Sequence, residues 1–572
     1  MANRVILRQA EDWLSFETPH SIVATTRVED VLPSLREIEK LVNKNAWHAV
    51  GFLSYEASPA FDSALRVRSS ARLPLLWFGL YPEPLRSALP KPASSYSLTE
   101  WMPDVSRDTY NAAIEQVMDH IAHGNTYQVN YTFRLKSRFS GDPFALFLDM
   151  IEAQPVGYPA CIETDDFAIC SASPELFFML EDNTVTCRPM KGTVKRGRTL
   201  SEDETQSAWL QRSVKNRAEN VMIVDMIRND LGRLAEIGSM RVPQLFSTER
   251  YRTLWQMTST VTAEIHAPFS DLMTALFPCA SITGAPKIST MGIIADLEAS
   301  PRGVYTGCIG YLAPGGKAQF NVAIRTATIF PKHGEAEYGV GGGIVWDSTA
   351  ADEYTEALLK AQVLTRKHPS FDLLDTLRWT PEDGYYLLER HLLRLRDSSI
   401  YFGFPFDSEN IRTELARLAG TFPCSTQRVR LLLHLDGQLT LQTASTPAAS
   451  MEPLQACLAS EPTQTSDIFL YHKTTYRIMF EKARTAHPGF EDVLLFNEHG
   501  ELTEFTIGNL VVELNGQFVT PPVACGLLPG TLRAELLETG VIHERILPRA
   551  SLPKISKVFR VNSVRGWQKM VL

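Results

Sequence analysis

Cysteine is scarce in this chain: eight among 572 residues, at 161, 170, 187, 279, 308, 424, 457 and 525. No two form a Cys-x-x-Cys pair and none has metal-ligand spacing, which excludes a zinc module and a disulfide framework. Free thiols in a reducing cytoplasm are the expectation. A basic excess is also lacking. The formal net charge is -9 with both signs mixed, so no face suits nucleic acid. No apolar run approaches the roughly 20 residues that span a bilayer, and Met1-Ala2-Asn3-Arg4-Val5-Ile6-Leu7 meets an acidic segment too soon for a secretory leader. There is no low-complexity tract and no fixed-period repeat. What remains is an ordinary globular composition, 44% hydrophobic and 21% charged, at a length that predicts two to four domains.

The clearest boundary is Arg366-Lys367-His368-Pro369-Ser370, where proline disfavours helix just after a helical pattern over 353–364. It predicts one domain over 1–366 and another over 371–572. A second break, Pro90-Lys91-Pro92-Ala93-Ser94-Ser95, separates 1–100 from 101–366 as a loop within the first domain. Ile114, Val117, Met118 and Ile121 recur at helical spacing, and Gly124 can end that helix. Asn125 to Leu135 alternates like a strand. Residues 202–235 read as one long helix, apolar nearly all round between Val221 and Ile227 and therefore buried. Asn515-Gly516 between two apolar runs predicts a hairpin.

Several groups in the first domain can carry chemistry. Lys191, in Arg188-Pro189-Met190-Lys191-Gly192-Thr193, stands at what reads as a strand end; by itself it is an ordinary solvated lysine. Glu219 lies on the apolar helix, where a carboxylate needs a partner: a metal ion, or Arg217 or Arg228. Glu353, Glu356 and Lys360 share one helix face at i, i+3, i+7. They could hold Mg²⁺ and an anion, or form a solvated face with a Glu356–Lys360 pair. Ser281-Ile282-Thr283-Gly284-Ala285-Pro286-Lys287 is a tight loop feeding a helix, whose free N–H groups favour an anion. Gly341, Gly342 and Gly343 allow close backbone approach, and Arg325 offers a bidentate carboxylate donor.

In this order the motifs, from Asn125-Thr126-Tyr127-Gln128-Val129-Asn130 to Ala361, resemble the chorismate-utilising enzymes. The resemblance implies that Glu219 and Glu356, with Glu353 nearby, bind Mg²⁺. Tyr305, Arg325, Gly341, Gly342, Gly343 and Lys360 would bind substrate, and Thr283 would position an ammonia attack. Lysine at 191 resembles the branch that aminates chorismate at C4, whereas anthranilate synthases carry alanine there. It implies a nucleophilic Lys191, with Glu175 of Ser173-Pro174-Glu175-Leu176 as acid. Many relatives have histidine in Trp255-Gln256-Met257-Thr258-Ser259; Gln256 takes its place, which fits an enzyme whose first domain retains the enolpyruvyl group. No Gly-x-Cys-x-Gly glutaminase motif occurs, so ammonia would come from solution or from a separate glutamine amidotransferase subunit.

The remainder resembles the fold-type IV pyridoxal-phosphate enzymes. Lys473 of Tyr471-His472-Lys473-Thr474 matches the cofactor lysine. Glu504 matches the glutamate at the pyridinium nitrogen, and Asn509 follows at the family spacing. Arg394, Ile507, Gly508 and the turn Leu528-Pro529-Gly530-Thr531-Leu532-Arg533 match the phosphate cradle, with the turn opening a helix. Arg565 near the end matches a substrate-carboxylate position. This domain starts at Leu373 without the family's usual preceding stretch, so its small subdomain is trimmed or completed by the first domain. Relatives of this type are usually dimers.

The fold class expected is α+β and multi-domain, a large α/β sandwich followed by a trimmed fold-type IV domain. The two halves together imply synthesis of 4-aminobenzoate: Mg²⁺-dependent amination of chorismate, then pyridoxal-phosphate-dependent loss of pyruvate, in folate synthesis. The alternatives join an aminodeoxychorismate or anthranilate synthase component to a fold-type IV aminotransferase or to a scaffold without cofactor.

Overall fold

The computed structural model describes residues 3–69, 72–155, 157–364, 369–445 and 452–572. Most of the expected boundary at 366–370 lies outside the described residues. By packing, the chain divides into two units, and the division is not a single cut. The first unit comprises Met1–Lys195 and Ser207–His368, the second Arg196–Gln206 and Pro369–Leu572. Residues 196–206 thus pack with the later part of the chain, which no local pattern announced.

The first unit is built on two large sheets of eleven and ten strands. Strand periodicity explains how they layer. In Arg4–Gln9, Val5 and Leu7 face one cluster while Ile6 faces another; in His48–Leu53, Val50 and Phe52 join the cluster of Val5, while Ala49 and Leu53 point away. The shared cluster is the filling between the sheets. The outer faces are covered by helices: Val28–Asn45, Val214–Leu231 and Phe269–Leu276 on the ten-stranded sheet, Arg107–Ala122, Pro143–Ala153 and Ala350–Lys360 on the eleven-stranded one. Glycine permits the close pairing of Glu335–Ile344 with Gln128–Gly141. A Cβ on Gly341 would stand 2.3 Å from the Tyr131 carbonyl oxygen.

Three local expectations need correction. Gln128–Gly141 begins later than expected, and its first eight residues are buried on both faces rather than alternating, because helices cover one side and the second sheet the other. The long helix over 202–235 is two helices, Leu200–Arg212 and Val214–Leu231, parted at Ser213, whose hydroxyl caps the second by accepting from the Asn216 N–H. That second helix is buried on one stripe only (Asn220, Ile223, Val224, Ile227, Leu231), and Val221 is exposed. Lys191, expected at the end of a strand, is the second residue of a further strand, the edge strand Met190–Lys195.

In the second unit, a four-stranded sheet (Gly384–Tyr385, Leu373–Thr380, Gln427–Leu433, Leu439–Ser445) packs its leucines against helices Leu388–Phe402 and Ser408–Ala419. An eight-stranded sheet follows. In it Leu502–Phe505 pairs with both Asp492–Phe496 and Gly508–Leu514, closing six strands into a barrel. The Asn515-Gly516 turn has positive φ at both residues, 53° and 77°, as its hairpin requires.

Candidate active sites

A cavity of about 370 Å³ in the first unit takes its walls from both sheets and from helices Val214–Leu231 and Ala350–Lys360. Lys191, Glu175, Glu219, Tyr305, Arg325, Gly341, Gly343, Glu353, Glu356 and Lys360 all line it. Gly342 lies just behind, where a Cβ would come within 2.9 Å of a Glu353 carboxylate oxygen. The backbone around Lys191 is held tightly. Gln256 donates to the Gly192 carbonyl (2.9 Å) and accepts from the Thr193 hydroxyl (3.1 Å), while the buried Asn220 donates to the Lys191 carbonyl (3.4 Å). Gln256 is therefore a clamp on the Lys191 strand.

Electrostatics divide these groups into roles. Burial lowers the pKa of Lys191; the carboxylate of Glu219 opposes this and the cation of Lys360 assists it. Burial raises Glu175 to about 7, against hydrogen bonds from Ser281 and the Met190 N–H. The cavity thus holds an amine whose charged form burial disfavours beside a carboxylic acid whose proton burial helps to retain. Arg325 is lowered by burial and has no carboxylate partner among the described residues, a state suited to an incoming carboxylate.

Neither arginine proposed as an alternative partner reaches Glu219: Arg228 pairs with Asp225 at 3.0 Å, and Arg217 lies over the Phe246 ring. Glu356 pairs with Lys360 at 2.9 Å, which lowers its pKa, and Lys360 also donates to the Gly341 carbonyl (3.0 Å). Glu353 is raised by burial and accepts from Ser348 at 2.6 Å. Among the described residues no three His, Cys, Asp or Glu side chains form a metal cage, so Glu219, Glu353 and Glu356 do not close one. Open, hard-oxygen donors facing one cavity still fit Mg²⁺, which keeps waters and takes substrate oxygens.

Thr283, like Gly342, is an expected site residue that does not line this cavity. It is fully buried, and its hydroxyl donates into its own turn, to the carbonyls of Cys279 (3.3 Å) and Ala280 (3.2 Å), the local bonding that threonine readily makes. Two elements escaped sequence reasoning. Gln128 is completely buried, with neither amide atom bonded, and a Cβ on Gly343 would lie 2.4 Å from its nitrogen and 2.6 Å from Lys191 Nζ. Arg302, paired at 2.6 Å with Glu298, donates to the carbonyls of Ile282 and Asn130, both cavity residues. Only the Gln in Tyr127-Gln128-Val129 was visible as part of a motif; Glu298 and Arg302 looked like an ordinary i, i+4 pair. Gly343→Ala should displace the Lys191 amine and abolish detectable chorismate consumption while leaving the unfolding temperature within a few degrees; unchanged consumption would place Lys191 elsewhere.

The second unit gathers a separate set. Burial lowers Lys473 to about 8, helped by the cation of Arg394, and raises the buried Glu504 to about 8. Glu504 accepts from Asn509 and from the Leu528 N–H, each at 3.2 Å. Arg394 donates to Asp375 at 2.8 Å, and its buried Nε has no partner among the described residues. Burial alone would raise Asp375, but Arg394 and His391 outweigh it and hold the carboxyl well below its usual range. Gly530 precedes helix Thr531–Glu538, and a Cβ there would strike the Asn509 side-chain oxygen at 1.9 Å. Thr531 and Leu532 are buried in its first turn, Ile507 is partly exposed, and a Cβ on Gly508 would meet Arg560 at 2.7 Å. Arg565 is exposed, its pKa lowered first by partial burial and then by Arg560 and Arg428. A buried lysine, a buried glutamate that keeps a proton and an arginine with a spare donor fit pyridoxal phosphate. Asp375 and His391 were not foreseen; alternation in one strand and i, i+3 spacing to Arg394 in one helix were their only signals.

Comparisons with known proteins divide the chain in the same sense. Residues 86–366 match the chorismate binding enzyme family and residues 372–571 the amino-transferase class IV family. Aminodeoxychorismate synthase component 1 of Escherichia coli (strain K12) is 38% identical over 281 residues, 48% of this chain and 61% of the relative. Anthranilate synthase component 1 of Cereibacter sphaeroides is also 38% identical, over 270 residues, 47% of this chain and 53% of the relative. The chain thus spans less than two thirds of the length of these relatives, and identity alone does not separate the two. The crystal structure of anthranilate synthase component I from Streptococcus pneumoniae superposes with a TM-score of 0.53 at 23% identity, covering 64% of this chain and 91% of that one, a likeness of fold. Among the described residues no helix is long and apolar enough to cross a membrane. Residues 86–366 belong to the chorismate binding enzymes and residues 372–571 to the class IV amino-transferases, joined here in one chain.

Proposed function

We propose that this chain converts chorismate to 4-aminobenzoate in two steps, amination at C4 in the first unit and elimination of pyruvate in the second. The observation that carries the reading is Lys191: a nucleophile needs its neutral amine, and burial together with the cation of Lys360 lowers the pKa of this lysine against the opposing carboxylates Glu219, Glu356 and Glu175. The Lys191 amine adds to C2 of chorismate, the two ring double bonds each shift by one position, and the C4 hydroxyl leaves as water with a proton from Glu175. Ammonia then adds at C4, the double bonds return, and the lysine leaves C2. The balance is chorismate plus ammonia to 4-amino-4-deoxychorismate plus water. Glu219 and Glu356, with Glu353, would hold Mg²⁺ against one substrate carboxylate and Arg325 would take the other. Ammonia would come from a glutamine amidotransferase partner or from solution.

In the second unit, pyridoxal phosphate would be held by Lys473, Glu504, Arg394, the backbone of Ile507 and Gly508, and the first turn at Gly530, Thr531 and Leu532; it would supply an electron sink. Lys473, neutral above about pH 8, takes the C4 proton. Glu504 keeps its own proton below about pH 8 and so can donate it. Arg565 holds a substrate carboxylate. Loss of pyruvate from C3 then leaves an aromatic ring.

Purified protein given chorismate, ammonium, Mg²⁺ and pyridoxal phosphate should form 4-aminobenzoate and pyruvate in equal amounts. Anthranilate as product would overturn the assignment of Lys191. Amination should also fall as pH rises through about 7, because Glu175 is protonated below that pH and ionised above it. Glu175→Gln should lower the rate by about 10²–10⁴-fold and erase that basic limb. Initial rates at constant free ammonia test this, and a surviving limb would assign it to another group.

A further inference from the structure

We propose that residues Arg196–Gln206 form a strap that positions Lys473, acting through the two residues that precede it. The strap lies within the stretch matched to the chorismate binding enzymes, five residues after Lys191 in sequence, yet it packs as part of the second unit. It is rigid in itself: Asp203 accepts from Arg196 Nε (2.6 Å) and from the Gly197 N–H (3.0 Å). Helix Leu388–Phe402 grips it, since Tyr401 donates to the Gly197 carbonyl (2.7 Å) and accepts on its own carbonyl from Arg196 (2.8 Å).

Arg198 then holds both residues that precede Lys473. Its guanidinium donates to the Tyr471 hydroxyl at 3.0 Å, and that hydroxyl donates onward to the Thr465 carbonyl. Its main-chain carbonyl lies 3.1 Å from His472 Nε2. A carbonyl only accepts, so Nε2 carries the proton and Nδ1 accepts from Ser398, 2.9 Å away. His472 is buried against Tyr401 and Phe402, and burial pushes its pKa down to about 3, so this bonding pattern is stable at any working pH. On the other side of Lys473, the Leu374 N–H donates to its carbonyl and Thr475 is tied to Asp372, each at 2.9 Å. The lysine backbone is therefore pinned from both directions. A domain lacking its family's usual opening stretch obtains that support from residues far earlier in the chain. The charged groups facing Lys473 are Arg394, Asp375, Arg477 and Glu504, and small displacements of the backbone would change its distance to all of them.

The inference rests on Lys473 as the cofactor lysine, but its test does not need cofactor. In cofactor-stripped full-length protein, acylation of Lys473 followed across pH by peptide mass spectrometry should show a midpoint near 8. Arg198→Ala and His472→Phe should raise it by about one unit as the amine regains solvent. His472→Gln, which can still donate to the Arg198 carbonyl, should restore it. Tyr401→Phe removes only the bond to Gly197 and should give a smaller shift in the same direction. In loaded protein, the pH midpoint of the visible absorbance should move in parallel, and elimination should slow about 100-fold with chorismate amination unchanged. Identical acylation midpoints in all these variants would overturn the strap. A visible chromophore persisting in Lys473→Ala would instead overturn the cofactor assignment and leave the acylation result standing.

Discussion

Lys191→Ala should lower chorismate amination by about four orders of magnitude, equivalent to roughly 5.5 kcal/mol of transition-state stabilisation, with the second activity intact. The reason is geometric. The side chain enters a cavity whose other polar walls are suited to binding charge rather than attacking carbon: Glu219 and Glu356 are carboxylates, Arg325 is a cation, and Lys360 is occupied by Glu356 and the Gly341 carbonyl. Alanine removes the nucleophile and leaves the clamp from Gln256 and Asn220, which acts on backbone and Thr193 rather than on the lysine side chain. Chorismate affinity should therefore persist. Two measurements check this: chorismate consumption with ammonium and Mg²⁺, and conversion of supplied 4-amino-4-deoxychorismate to 4-aminobenzoate. Intact consumption would refute covalent catalysis at 191. Mass spectrometry of wild-type protein given chorismate without ammonia should show an adduct on the peptide bearing Lys191.

Residues whose role depends on short-range pattern were legible. Glu353, Glu356 and Lys360 share a helix face because i, i+3, i+7 must, and the Asn515-Gly516 hairpin follows from positive φ. Residues whose role depends on packing were not. Thr283 stood in a suggestive loop, but its hydroxyl is consumed by its own turn. Ser213 interrupts a helical pattern by capping the next helix, and a serine within such a pattern is equally compatible with continuing it. The membership of 196–206 in the second unit is a contact across some 200 residues of sequence, invisible to any periodicity.

Lys473→Ala should halt the sequence at 4-amino-4-deoxychorismate, with formation of 4-aminobenzoate falling by about four orders of magnitude or more. The residues around Lys473 show why no neighbour can replace it. The guanidinium groups of Arg394 and Arg477 carry donors only, so neither can accept the C4 proton. Asp375 is held ionised by Arg394 and His391, far below the range of a useful base, and Glu504 is bound by Asn509 and the Leu528 N–H. Lysine alone combines reach with a pKa near neutrality, and burial supplies that by disfavouring its charged form. Because the two lysines lie in separately packed units, chorismate and ammonium should still be consumed at the wild-type rate, and the aminated intermediate should accumulate in proportion. Chromatography of the products, with pyruvate assayed in the same sample, reads both halves together. An unchanged yield of 4-aminobenzoate would remove the elimination step from this unit. Loss of amination together with elimination would show instead that Lys473 also supports the first reaction, contrary to a division of labour between the two units.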